Sequence, residues 1–231
     1  MGRCLVVGQP LDQSHQQRLR CRLPLLSALH RQLTVILIPL PILGPQRQST
    51  EMSTLHPNAE KLISLAEEFF AEVADLTPGR TLEQHLNTHY GAGNRYYDAF
   101  CTLILSGLRN NEGWVATEEL DGPKYRRSRL CDPSERTRYF SITTVYMESL
   151  EEFRGQYHLH PYGEINCVVQ LDRTAELKGM NGWQGAGWTS PGAGTHHYPE
   201  VRGGALVALF FLPAGRISYK ASPEMAQPPH V

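Results

Sequence analysis

Beyond Gly113 the chain is a succession of short β-rich runs, each closed by turn residues, and this punctuation limits the fold more than any other feature. Candidate strands cover 114–116, 124–130, 139–148, 155–160, 164–171, 175–180, 187–189, 196–201 and 205–212, with a further one at 216–219. Asp121-Gly122-Pro123, Asp132-Pro133, Asn181-Gly182, Pro191-Gly192 and Arg202-Gly203-Gly204 supply the turns between them. Many short strands at roughly ten-residue intervals make a β-sandwich or a small antiparallel barrel.

Within that region the stretch Tyr157-His158-Leu159-His160-Pro161-Tyr162-Gly163-Glu164 concentrates metal-binding side chains. Side chains two apart on a strand share a face, so His158 and His160 point the same way. Pro161 and Gly163 break or bulge the strand, and Glu164 returns with the parity of the two histidines. Two imidazoles and a carboxylate from one segment, completed by an imidazole from a facing strand, suit a first-row divalent metal with open positions for water or substrate. Gly194-Thr195-His196-His197 offers that imidazole, with His196 the expected ligand and His197 the alternative on the opposite face.

The segment before Gly113 has a different period. Leu62, Leu65, Ala66, Phe69, Phe70 and Val73 form one stripe of an amphipathic helix over 58–76, with glutamates and Lys61 opposite. Thr77-Pro78-Gly79 ends it, and Thr81 with Gln84 has the form of a capping box for a second helix over 82–88. A third helix is expected over 95–109, carrying Tyr97, Cys101, Ile104, Leu105 and Leu108 on one stripe. His85 and His89 are spaced for a metal on one helix face, but without an accompanying E-x-x-H context solvated or packed roles are favoured.

Residues 1–50 stand apart, with six arginines, no lysine and Asp12 as the single acid, so they carry +5 against −6 for the remainder. The apolar run 33–43 contains Pro39 and Pro41 and is too short to span a bilayer as a helix. It also lacks a signal-peptide cleavage pattern. Two expectations stay open: a disordered arm, or translation that begins at Met52, which the pattern favours. The domain expectation is therefore 1–51 as a disordered or non-native extension, 52–113 helical, 114–220 a β-barrel, and 221–231 a loose tail. An overall net charge of −1 shows no basic excess for nucleic acid or a membrane surface. Five scattered cysteines without a CxxC pair fit a reducing cytoplasm rather than a disulfide framework.

The ligand spacing resembles that of the cupins. His158-x-His160-x3-Glu164 has the form of the first cupin motif, and Gly185-x5-Pro191-x-Ala193-x2-His196 follows the second. Glu152 and Leu171 stand where the first motif has glycines; Ala193 and Glu200 replace the inner glycine and terminal asparagine of the second. The resemblance implies a mainly β fold with an N-terminal helical subdomain, its core a cupin-type antiparallel β-barrel (double-stranded β-helix or jelly roll). Carried over by position, it makes His158, His160, Glu164 and His196 the metal set.

Taken together, the helical N-terminal part, the run 155–166 and Thr195-His196-His197-Tyr198-Pro199-Glu200-Val201 resemble the bacterial 4-hydroxylaminobenzoate lyases of nitroaromatic (4-nitrobenzoate) catabolism, from Met52 to about Tyr219. That resemblance implies conversion of 4-hydroxylaminobenzoate and water to 3,4-dihydroxybenzoate and ammonia. The reaction is redox-neutral, since the N–O bond supplies the oxidising equivalent. It needs no nicotinamide or flavin, and the chain has no dinucleotide fingerprint. The implied cofactor is a divalent cation (Fe, Mn, Zn or Ni) acting as a Lewis acid, and the implied partner is a small aromatic carboxylate.

Side chains that share these faces are candidates for the remaining roles. With Glu164 inward, Asn166 and Gln170 share its face, either inside the barrel or at its mouth. Arg127 and Arg129 share a face opposite Arg126, and with Arg138 they are candidate partners for a substrate carboxylate. His197, Glu200 and Tyr162 are candidate proton carriers. Tyr146, Tyr157, Tyr162, Trp183 and Trp188 are candidates for an aromatic wall, the two tryptophans on a glycine-rich loop that could close the mouth. Cupins often pair through sheet edges and apolar strands such as 205–212, so homo-oligomerisation is an expectation. Two other classes share the motifs: an Fe(II) cupin dioxygenase acting on an aromatic or small organic acid, and a non-catalytic small-molecule-binding cupin.

Overall fold

The computed structural model describes residues 55–231. Expectations for 1–51, including translation from Met52, lie outside the described residues. Helix α1 spans Pro57–Glu72, with Pro57 in its first turn and His56 Nδ1 accepting from the Asn58 N–H at 3.2 Å. Helix α2 spans Arg80–His89 and α3 spans Arg95–Arg109. The expected capping box at Thr81 does not form, because the helix starts two residues earlier, at Arg80, and Thr81 is already inside it. Gly79 occupies the cap, and the Arg80 N–H is satisfied by the Val231 carbonyl at 2.8 Å.

Twelve strands follow: β1 Glu118–Glu119, β2 Tyr125–Cys131, β3 Phe140–Ser149, β4 Phe153–Arg154, β5 His158–Leu159, β6 Ile165–Gln170, β7 Glu176–Gly179, β8 Gly182–Gln184, β9 Gly187–Thr189, β10 His196–His197, β11 Glu200–Arg202 and β12 Gly204–Pro213. They form a six-stranded sheet in the order β1-β2-β3-β12-β6-β9, a four-stranded sheet β4-β11-β7-β8, and the pair β10-β5. All pairings are antiparallel. From β3 onward the chain passes repeatedly between the sheets, which is the winding of a cupin-type jelly roll. Among the described residues the hydrogen bonding does not run continuously round a closed barrel.

Alternation along the strands buries the six-stranded sheet on both faces. Its outer face receives the helices: Phe69, Phe70 and Phe100 pack with Ile142, Ile165 and Phe211. Trp188 is fully buried there, its ring stacked on Phe69 at 5.2 Å, so it is helix-to-sheet core and no wall of a ligand site. On the inner face Val145, Met147, Val168 and Leu206 meet Leu177 and Val201 of the smaller sheet. Burying each such side chain contributes about 1.5–3 kcal/mol relative to exposure, which is why the apolar parity of β3 and β12 dictates which way they face.

Two expectations are corrected by this packing. Strand β12 lies between β3 and β6, with both edges already hydrogen-bonded, so 205–212 offers no edge for pairing subunits. The segment 221–231, expected as a loose tail, makes hydrogen bonds to the body of the domain. Gln227 brackets the His196 backbone, accepting from its N–H at 2.9 Å and donating to its carbonyl at 2.6 Å, and a His230 ring nitrogen lies 3.0 Å from the Ser190 carbonyl. No helix among the described residues is long and apolar enough to cross a membrane.

Candidate metal centre

The short pair β5–β10 decides which imidazoles converge. His197 is paired with His158, and His196 with Leu159. Directly opposed residues of an antiparallel pair project to the same face, so His197 joins His158 while His196 turns outward. There the Tyr157 hydroxyl lies 2.5 Å from His196 Nδ1, and the ring rests near the Ala226 carbonyl. The donor atoms of His158, His160 and His197 all lie within 4.8 Å of one another. The structure therefore brings His197, and not the expected His196, beside His158 and His160. A signal for this was present in the motif: Gly194, at φ 79, takes the turn-glycine role that Ala193 cannot fill, and counting from Gly194 moves the histidine position from 196 to 197.

The donor set fits a divalent cation. His158 Nδ1 is 2.9 Å from the Gln156 carbonyl and His160 Nδ1 is 3.0 Å from the Thr195 carbonyl. A carbonyl can only accept, so both Nδ1 atoms carry protons and both Nε2 atoms present lone pairs. Those two Nε2 atoms face each other at 3.0 Å. Two lone pairs directed at one point repel unless a positive charge lies between them. Glu164 Oε1 stands 3.9 Å from His160 Nε2 and accepts from Asn166 Nδ2 at 2.7 Å.

Burial keeps these groups neutral. It lowers the pKa of His158 despite the Gln156 carbonyl, and lowers that of His160 further, helped by the neighbouring His158 and His197. Burial, then repulsion from His158, takes His197 down to about 3. Burial also raises Glu164 to about 7, against the hydrogen bond from Asn166. Neutral imidazoles beside a carboxylate that lacks a cationic partner form a donor set that a cation would stabilise.

All of these side chains except His160 border a cavity of about 200 Å3 between the sheets. His158, His197, Glu164 and Asn166 line it on one part, Arg127, Arg129 and Lys178 elsewhere, with Val145, Met147 and Phe210 among its apolar walls. The expected shared face of Arg127 and Arg129 is the cavity face.

Four other candidates are placed away from the cavity. Arg138 donates from Nη1 to the Phe70 carbonyl at 2.7 Å, covering the exposed end of α1. Gln170 Nε2 donates to the Ala175 carbonyl at 2.6 Å and ties down the turn beyond β6. Tyr162 is 55% exposed on the turn after His160. Glu200 is buried but spent on Lys178 Nζ at 3.0 Å and Arg154 Nε at 3.2 Å. Asn166 lines the cavity, yet its amide nitrogen is committed to Glu164 and Thr189, so it holds the carboxylate in place. Of the other proposed aromatic walls, Tyr146 faces the guanidinium of Arg126 and Trp183 lies beneath Arg202.

A family model described as 4-hydroxylaminobenzoate lyase (PnbB) matches residues 64–219. The chain is 54% identical over 164 residues to a 4-hydroxylaminobenzoate lyase of Nocardioides sp. (strain LMS-CY), covering 71% of this chain and 96% of that one. A second relative of the same name, from Pseudomonas putida, is 52% identical over 168 residues, 69% of this chain and 94% of its own. The chain belongs to the 4-hydroxylaminobenzoate lyase family. Solved structures similar to it include an RmlC-like cupin protein from Ralstonia eutropha JMP134, at 15% identity and TM-score 0.36 over 50% of this chain and 71% of that one. Another is the DMSP lyase DddQ from Ruegeria pomeroyi DSS-3, at 18% identity and TM-score 0.36 over 74% and 95%.

In this member of the 4-hydroxylaminobenzoate lyase family, the cavity residues that sequence reasoning missed include Lys178 and Tyr219. Lys178 on β7 reaches the cavity with its charge balanced by Glu200, and Tyr219 comes from the segment after β12. Neither carries a motif. Their position depends on which strands become neighbours.

Proposed function

We propose that this chain is a 4-hydroxylaminobenzoate lyase that converts its substrate and water to 3,4-dihydroxybenzoate and ammonia. The observation that supports this most directly, beside family membership, is one small cavity bordered by the imidazoles of His158 and His197, on which the buried His160 converges, a buried carboxylate and two guanidinium groups. His158, His160 and His197, with Glu164 beside them, would hold a divalent cation. Bound there, the cation supplies Lewis acidity toward an N–OH oxygen or a water.

The protein's own groups account for orientation and exclusion. Arg127 and Arg129 form charge-assisted hydrogen bonds to the benzoate carboxylate, which fixes the long axis of the ring. Glu118 already engages Arg127 at 3.1 Å, and Asp132 engages Arg129 at 3.2 Å, so the cations are held in place before substrate enters. The apolar walls Val145, Met147 and Phe210 suit the ring and limit stray water. In the reaction the N–O bond breaks with its electron pair on oxygen, which departs as water; one water then adds to the electron-poor ring beside the C–N carbon, and another hydrolyses the C–N bond and releases ammonia, so that one water is consumed overall. Nitrogen is reduced as ring carbon is oxidised, so no external oxidant enters.

Anaerobic incubation of the purified protein with 4-hydroxylaminobenzoate tests the proposal, with assays for ammonia and catechol product and elemental analysis of the same sample. Equimolar ammonia and 3,4-dihydroxybenzoate without dioxygen are expected. Product formation that requires dioxygen would convert the assignment to a dioxygenase, and binding without ammonia release would make the chain a non-catalytic cupin.

A further inference from the structure

Strand β5 is flanked on both edges. On one edge His158 pairs with His197 of β10; on the other Leu159 bridges Ser218. The Leu159 N–H donates to the Ser218 carbonyl at 2.8 Å, and the Ser218 N–H donates back to the Leu159 carbonyl at 2.9 Å. In antiparallel pairing the residues flanking such a bridge stand opposite one another, so Tyr219 faces His158 and Ile217 faces His160. Both Tyr219 and Ile217 line the cavity, and the Tyr219 ring lies 6.3 Å from that of His158. Tyr219, His158 and His197 thus form one row of side chains across three adjacent segments.

Most other polar groups of the cavity wall are engaged; among the described residues the Thr143 hydroxyl and the His197 ring, like Tyr219, have no hydrogen-bond partner. The Nδ1 atoms of His158 and His160 are directed to carbonyls, Glu164 accepts from Asn166, and Lys178 is paired with Glu200. Arg127 and Arg129 have Glu118 and Asp132, and burial pushes the Tyr125 phenol, also in the wall, up to about 12. The Tyr219 hydroxyl makes no hydrogen bond among the described residues, and it lies in the electrostatic field of Arg127, Glu164 and Arg129. It is a half-exposed phenol on the cavity wall, its ring 6.3 Å from that of His158.

We propose that Tyr219 is a catalytic residue, whose hydroxyl hydrogen-bonds the N–OH oxygen of the bound hydroxylaminobenzoate and supplies the proton with which that oxygen departs as water. The role rests on the lyase function proposed above. The N–O electron pair leaves with the oxygen, the phenol proton completes the water, and the phenolate recovers its proton from the water that adds to the ring. Protons and electrons balance within substrate, water and Tyr219.

The test is the Tyr219→Phe variant, which keeps the ring against His158 and removes only the hydroxyl. Metal content by elemental analysis and the melting temperature should match the wild type. The expected kcat is lower by about 100-fold to 10,000-fold, with KM within about threefold of wild type. A variant with kcat near wild type overturns the role, and so does one that has lost its metal, since the residue would then act through the cation site. If the wild-type protein releases no ammonia from 4-hydroxylaminobenzoate, the lyase function falls and this role falls with it. An active wild type with an equally active variant removes the role alone.

Discussion

His197 stands directly opposite His158 across the β5–β10 pair, with ring centroids 5.0 Å apart, while its neighbour His196 shares the outer face with Leu159. Adjacent histidines therefore have opposite consequences when removed. His197→Ala should purify without stoichiometric metal and release no ammonia. His196→Ala should retain its metal, because its ring contacts only Tyr157 and the C-terminal segment. Elemental analysis of the two variants checks this, and metal loss confined to His196→Ala would contradict the placement.

Glu164 is held by one hydrogen bond from Asn166 Nδ2 at 2.7 Å, and Asn166 is itself braced on Thr189. Asn166→Ala frees the carboxylate to rotate. Metal affinity should fall by about 10-fold to 100-fold, the usual effect of losing a group that orients a ligand. Chelator competition measures it, and unchanged affinity would mean that Glu164 does not contribute to holding the ion.

Of the two guanidinium groups in the cavity, Arg129 has the weaker partner, since the Asp132 side chain is 83% exposed and its attraction is screened. Arg129→Gln should raise KM for 4-hydroxylaminobenzoate by about 10-fold to 100-fold, the loss of one charge-assisted hydrogen bond. Turnover of hydroxylaminobenzene, which has no carboxylate, should be the same in variant and wild type. A KM effect of equal size on both substrates would rule out a carboxylate contact.

Glu112 ties α1 and α3 to the segment that leads into the sheet. It accepts from Trp114 Nε1 at 2.7 Å, from Asn58 Nδ2 at 2.8 Å, and from Ser106 and Asn110. Those bonds, led by that from Trp114, lower its pKa from the ordinary 4.5 to about 2. A depressed carboxyl pKa stabilises the folded state above the unfolded value and loses that contribution as pH falls through the folded one. Glu112→Gln should therefore melt below the wild type at pH 7, with the gap narrowing from about pH 4.5 towards about pH 2. A gap independent of pH would assign the loss to packing rather than charge.

Much of the site was legible residue by residue. His158 and His160 turn their rings toward one point, Glu164 returns beside them, and Arg127 and Arg129 line the cavity together, all through the two-residue period of a strand. The limits of helix α3 were legible as well, since its stripe ends where Asn110 and Gly113 interrupt it. Arg138, Gln170, Tyr162 and Glu200 were misplaced for a common reason. Polar side chains near a site satisfy whichever partner is closest, and the α1 carbonyls, the turn after β6, solvent, and the Lys178–Arg154 pair were nearer than the cavity.

Sequence alone determined which side chains can act together along one strand, because alternation is a property of the extended backbone and needs no partner. It also determined family membership and hence the chemistry to look for. Only the tertiary structure decided between His196 and His197, brought Tyr219 beside His158, and pinned the C-terminal segment against β10. Each depends on the register between segments far apart in the chain, and a shift of one residue there reverses every facing side chain.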